Sequence, residues 1–169
     1  MLPFTSLFLY ALIWILPQMD PRIRRSTGGE YDRTLATTRI IRSAMLVFML
    51  GMFSLQAAAA LGCRVAMDRY AFNGVLILFV VMGNYLTHLR PNYFVGIRTP
   101  WTLDNAETWR ATHRIGGRIM VFGGLVLIPT QFLVAQSIFL VLLMTYLFGF
   151  AGWSYFYSWN HSRTHPVNG

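Results

Sequence analysis

Between Gly83 and Arg118 the chain reads G-N-Y-L-T-H-L-R-P-N-Y-F-V-G-I-R-T-P-W-T-L-D-N-A-E-T-W-R-A-T-H-R-I-G-G-R, a polar stretch set between two apolar runs that can each cross a bilayer. A loop that only joins two spans is polar and poor in aromatics. This one holds two Tyr, two Trp, two Pro, two His, five Arg and one Phe. Trp101 and Trp109 are too large and apolar to be left in water without cause, so the composition predicts an ordered loop that buries both rings against the ends of the neighbouring spans.

Within the stretch, Pro91 and Pro100 push Arg90 and Thr99 away from helical geometry, which predicts an extended or turned path between them, and Gly96 permits a tight bend. Arg98, between Gly96 and Pro100, sits on stiff backbone; Glu107, Asp104 and the loop's own carbonyls are its expected partners. Asp104 stands three residues ahead of Glu107, the spacing of a capping box, so a helix is expected from about Asn105. On it Arg110, Arg114 and Arg118 share one face, toward anionic headgroups or solvent, while Ala106, Trp109, His113 and Gly117 share a neighbouring one that packs. Asn84 and Tyr85 precede the loop at the membrane boundary, where an amide can cap or bridge loop backbone.

The runs N-Y at Asn84, P-N-Y-F-V-G-I-R-T-P-W-T-L from Pro91 and W-R-A-T-H-R-I-G-G from Trp109 resemble the signature of the SdpI family of bacterial membrane proteins, named for immunity against a secreted toxin peptide. The likeness is densest over Asn84–Gly117. A weaker echo, L-P-Q-M-D-P-R at Leu16–Arg22, resembles the end of a small domain that often precedes the family core, with its leading part short here. The resemblance implies an integral membrane immunity protein, in some members combined with signalling in which a toxin-engaged membrane protein sequesters a transcriptional repressor. Carried over residue by residue, it marks Asn84, Tyr85, Asn92, Tyr93, Gly96, Arg98, Thr99, Pro100, Trp101, Trp109, His113 and Arg114 as a functional cluster.

Outward from this stretch, apolar runs recur. Leu2–Leu16 covers about 22 Å as a helix, short of a hydrocarbon core of about 30 Å, and is read as a retained first span. Pro17–Thr34, with its prolines, glycines and arginines, reads as a surface loop. A second span over Ile40–Leu61, with helix from about Leu35, a third over Ala71–Leu86, a fourth over Ile115–Phe132 and a fifth over Ala135–Tyr157 complete the pattern. Gly116, Gly117, Gly123 and Gly124 allow close helix contact, and Trp153, Tyr155, Tyr157 and Trp159 form an aromatic belt. The fold expected is all-α: a polytopic membrane bundle of about five transmembrane helices in one domain, residues 1–169, with an ordered cytoplasmic loop between the third and fourth spans.

Composition agrees. Of 169 residues 55% are hydrophobic and only 12% charged, against about 25% charged in soluble domains. The net charge of +8 comes entirely from arginine, and those arginines flank apolar runs instead of forming a stripe on a soluble face, which argues against direct nucleic acid binding. Arg22, Arg24, Arg25, Arg33, Arg39, Arg42, Arg90, Arg98, Arg110, Arg114, Arg118 and Arg163 fall on one side of the five-span arrangement, and only Arg64 and Arg69 on the other. The positive-inside bias then puts the N-terminus outside and the C-terminus inside the bacterial cytoplasmic membrane.

No phosphate-cradling glycine loop, zinc-protease helix or nucleophile elbow is present, and the six carboxylates fall in connections or at helix starts. A triad of His113, Asp104 and Thr112 lacks support in order and spacing. The expectation is therefore no enzyme, no cofactor and no metal; His161 and His165 lie one turn apart but have no third ligand nearby. The expected partners are membrane lipids and, through the resemblance, a toxin peptide and a repressor. The alternative is an accessory subunit bound to other membrane subunits.

Overall fold

The computed structural model describes residues 29–64, 66–93 and 95–165 together with Ala11 and Ile15, and the side chains of the first described helix from Ala36 onward. The expected span over Leu2–Leu16 and the echo at Leu16–Arg22 lie outside these residues, apart from Ala11 and Ile15, which are helical. The described elements are α1 (Gly29–Ala60), α2 (Met67–Leu86), the short α3 (Pro100–Asp104), α4 (Ala106–Leu133) and α5 (Gln136–Thr164). All are helices, and α1, α2, α4 and α5 are each long and apolar enough to cross a membrane. The protein is an all-α membrane bundle.

Every long helix outruns its apolar run. Residues 29–34, expected in a loop, already belong to α1. Likewise α2 starts at Met67 instead of Ala71, with Asp68 in its first turn. Helix α4 starts nine residues before the expected span, and α5 continues seven beyond. Hydropathy locates the part that must avoid water, whereas backbone hydrogen bonding carries the helix on through the headgroups. The α1–α2 turn closes as a Schellman motif: Gly62 takes φ 89°, its amide bonds the Ala59 carbonyl, and the Cys63 amide bonds that of Ala58.

The helices stack antiparallel in sequence order, with α2 and α4 at the centre. Their closest approach is at Gly83 and Gly117, where a Cβ on either residue would collide with the other's carbonyl oxygen. One end of the interface holds Leu86, Leu89, Trp109 and Met120 with Ile41 of α1; the other holds Leu76, Leu127, Phe139 and Leu143. At that second end Gln131 Nε2 donates to the Arg69 carbonyl, tying α4 to α2 beside the two-residue link Val134–Ala135. Phe122, Val126, Leu133, Val141 and Phe148 point outward and are more than half exposed, as lipid-facing side chains are.

Substitution Gly83→Ala must force α2 and α4 apart and lower stability by about 1–3 kcal/mol, the cost of overpacking. Gly149, by contrast, has open space where a methyl group would sit, with nothing within 4 Å. Gly149→Ala is expected to be neutral or to stabilise by up to about 1 kcal/mol through helix propensity. Thermal unfolding of the two variants in one detergent checks this; equal melting points would refute the close-contact account.

Candidate functional site

The loop between α2 and α4 is held from inside by His113, on the second turn of α4. Its Nε2 accepts the Ile97 amide at 3.0 Å, and its Nδ1 lies 2.9 Å from the Trp109 carbonyl. A backbone amide can only donate and a carbonyl can only accept. The partners therefore assign the neutral tautomer with its proton on Nδ1. The ring is 1% exposed and stacks on Trp109, centroids 3.9 Å apart, while Trp109 Nε1 donates to the Leu89 carbonyl at 2.8 Å. Two side chains one turn apart on α4 thus grip both arms of the loop.

The loop backbone is shaped to meet them. Gly96 takes φ 117°, and a Cβ there would overlap His113 Nε2. Asn92, 2% exposed, holds the preceding turn by donating to the Arg90 carbonyl at 2.8 Å and accepting the Val95 amide at 2.7 Å. Arg98 is exposed and donates through Nη1 to the Tyr93 carbonyl, so of its expected partners it is a loop carbonyl that engages it.

Beyond Arg98 the chain enters α3, a helix that sequence reading missed although T-P-W-T carries its signal. Thr99 is extended, as expected before proline, and Pro100 occupies the first helical position. Thr99 and Thr102 form a reciprocal capping box. Thr99 Oγ1 also donates to Ser158 Oγ at 2.8 Å, and Ser158 donates to the Tyr155 carbonyl, which fastens α3 to α5. The cap of α4 is Asn105 and not Asp104, which is exposed at the end of α3. Asn105 Oδ1 accepts the amides of Glu107 and Thr108, and its Nδ2 donates to the His165 carbonyl. An amide can do both at once; a carboxylate could not supply the donor. Thr108 Oγ1 meets His161 Nδ1 at 3.2 Å, completing the tie between α4 and α5.

Asn92, Gly96, Trp109 and His113 come together with the Tyr93–Arg98 bond at the loop's centre. Thr99 and Pro100 belong to the α3 cap. Trp101, expected to be buried, is only half so: its edge packs on Tyr155, centroids 4.8 Å apart, and one face lines an open groove with Gly152, Phe156 and Trp159. The reason is that the Thr99–Ser158 bond seats α3 on the rim of α5. Tyr85 packs beside the loop-end core, whereas Asn84 is exposed; the last carbonyls of α2, at Tyr85 and Leu86, take backbone amides of His88 and Leu89 instead. Arg114 is exposed on the outer face of α4. No triad of His113, Asp104 and Thr112 forms, because both ring nitrogens of His113 face backbone groups. His161 and His165 stack at 4.4 Å, and among the described residues no third potential ligand joins them.

Replacing His113 with Leu leaves the Ile97 amide buried without an acceptor, a cost of about 1–3 kcal/mol. Hydrogen exchange at Ile97 should accelerate about tenfold or more, while the core of α2 stays protected. Unchanged exchange at Ile97 would show that the imidazole does not hold the loop.

Residues 88–158, which run from the loop through α3 and α4 into most of α5, match the SdpI/YfhL protein family. The chain is also 28% identical over 109 residues to the immunity protein SdpI of Bacillus subtilis (strain 168), an alignment covering 62% of this chain and 53% of that protein. The chain thus spans about half the length of this curated relative. No solved structure matches it. The matched segment contains His113, Trp109, Gly96 and the capped α3, the residues that build the loop, and it is over this segment that the chain is similar to the SdpI family.

Proposed function

We propose that this membrane protein acts as an SdpI-like immunity protein, protecting the cell that carries it against an antimicrobial toxin peptide. The observation that carries the reading is the coincidence of the family-matched segment with a loop built as a rigid surface. Asn92, Trp109 and His113 form its buried scaffold with the half-buried Gly96 against them, and Tyr93, Arg98 and Trp101 are its exposed or half-exposed edge. Rigid backbone beneath an exposed guanidinium and aromatic rings suits recognition of a protein or peptide surface. Chemistry would need a free base, and the candidate histidine has none in this arrangement.

Orientation follows from charge. Arg39, Arg42, Arg90, Arg98, Arg110, Arg114, Arg118 and Arg163 lie toward the loop end of the helices, and Arg64 and Arg69 toward the other. On this reading the loop lies in the cytoplasm, the N-terminus lies outside and the whole chain forms one membrane domain. On that side the loop edge is open to a cytoplasmic partner such as a repressor, which makes coupling of immunity to signalling feasible through the same surface.

Expression in a toxin-sensitive bacterial host should raise survival under toxin. Because Arg98 is exposed, Arg98→Ala should leave membrane abundance nearly unchanged, within about 0.5 kcal/mol of stability, and reduce protection. Arg98→Lys, which keeps charge but loses the planar fork, should restore little of it. Normal protection by both variants would remove Arg98 from the recognition edge, and no protection by the parent chain would overturn the immunity reading.

Topology is tested separately. Cys63 is exposed, and a membrane-impermeant thiol reagent should label it in intact cells. The exposed position Asn160, as Asn160→Cys in a Cys63→Ser background, should label only after lysis; the reverse pattern inverts the orientation.

A further inference from the structure

The outer face of α4 carries Arg110, Arg114 and Arg118, all exposed, and no ion pair among the described residues engages them. The same face continues into Phe122, Leu125 and Val126, which are 52–67% exposed and apolar. Polar and apolar halves of one helical stripe meet between Arg118 and Phe122, and their position relative to the bilayer can be read in two ways.

Helix length is the first. The 28 residues of α4 extend about 42 Å, some 12 Å more than the hydrocarbon core. With Leu133 at the far boundary, Arg114 reaches the near one and Arg118 lies about 6 Å inside it. The second is the neighbouring helix: Gly116 faces Phe150 and Trp153, and Thr108 meets His161, so Arg114 is level with the belt of Trp153 and Tyr157. Both readings put Arg114 among headgroups and Arg118 just below them, facing lipid.

A lipid-facing guanidinium at that depth needs an anion. Side chains on a helix lean toward its N-terminus, and the N-terminus of α4 is the headgroup side, so the stem of Arg118 rises toward Arg114. Like charges at i and i+4 repel. Glu107, the carboxylate on α4, lies a turn beyond Arg110 at the helix start and relieves that end of the row only. We propose that Arg114 and Arg118 together bind the phosphate of an anionic phospholipid in the leaflet on the loop side. The planar forks of two arginines can engage the phosphate oxygens in pairs, and an anionic headgroup leaves a net negative charge that a zwitterionic one cancels.

The test uses the full chain in nanodiscs of equal phosphatidylglycerol and phosphatidylcholine, released into the gas phase for native mass spectrometry. The parent protein should retain phosphatidylglycerol preferentially. Arg114→Gln/Arg118→Gln should lose that retention about tenfold, and Arg118→Gln alone should lose part of it. Protected exchange at Ile97 in each variant confirms that the loop remains folded; if the double variant unfolds, the single one decides. Equal retention of both lipids by the parent, or undiminished phosphatidylglycerol on a folded Arg118→Gln variant, overturns the proposal. Displacement of the lipid by millimolar inorganic phosphate would also overturn it, by showing a general anion site. No toxin or host enters the measurement, so its outcome stands apart from the immunity reading.

Discussion

Everything distinctive about the loop end depends on one imidazole with a backbone group at each nitrogen. His113 closes a hydrogen-bond path from the Trp109 carbonyl of α4 to the Ile97 amide of the loop, inside a site with almost no water access. In such surroundings an unpaired amide is expensive, and the penalty for breaking the contact is what gives the loop a single conformation. The glycine at position 96 is a consequence of the same contact. It supplies the left-handed φ and the empty space that let the backbone lie against the ring.

The bundle beneath makes that contact possible. Helices α2 and α4 touch backbone to backbone at Gly83 and Gly117, which brings Leu89, at the exit of α2, within reach of the Trp109 indole. In lipid, apolar surface supplies little attraction between helices, so close packing at small residues and hydrogen bonds across the interface take its place. On the α5 side the Thr99–Ser158 contact holds α3 and the Thr108–His161 contact holds α4 in the same way. Scaffold and surface are thereby separated: the residues that shape the loop are buried or half-buried, and those able to meet another molecule ride on top of them.

Charge is organised along the same axis. Among the described residues the loop end collects arginines while the opposite end has two, and α4 alone presents three in a row beside the stacked Trp153 and Tyr157 of α5. Such a helix is anchored in depth by its own sequence, since neither its arginines nor its lower apolar half can exchange environments.

By itself the sequence determined that this is an all-α membrane protein, where its apolar runs lie, and that the stretch around Pro91–Gly117 is ordered, because hydropathy and aromatic content act locally and can be counted. Thr99 before Pro100 was legible as extended, and Gly96 as a bend, for the same local reason. What only the tertiary structure decided were pairings between residues far apart in the chain. Ile97 with His113, Leu89 with Trp109 and Thr99 with Ser158 leave no local trace. The choice of Asn105 over Asp104 as the cap of α4 belongs here too: both residues suit a helix start, and the carbonyl of His165, sixty residues away, requires a donor that only the amide has.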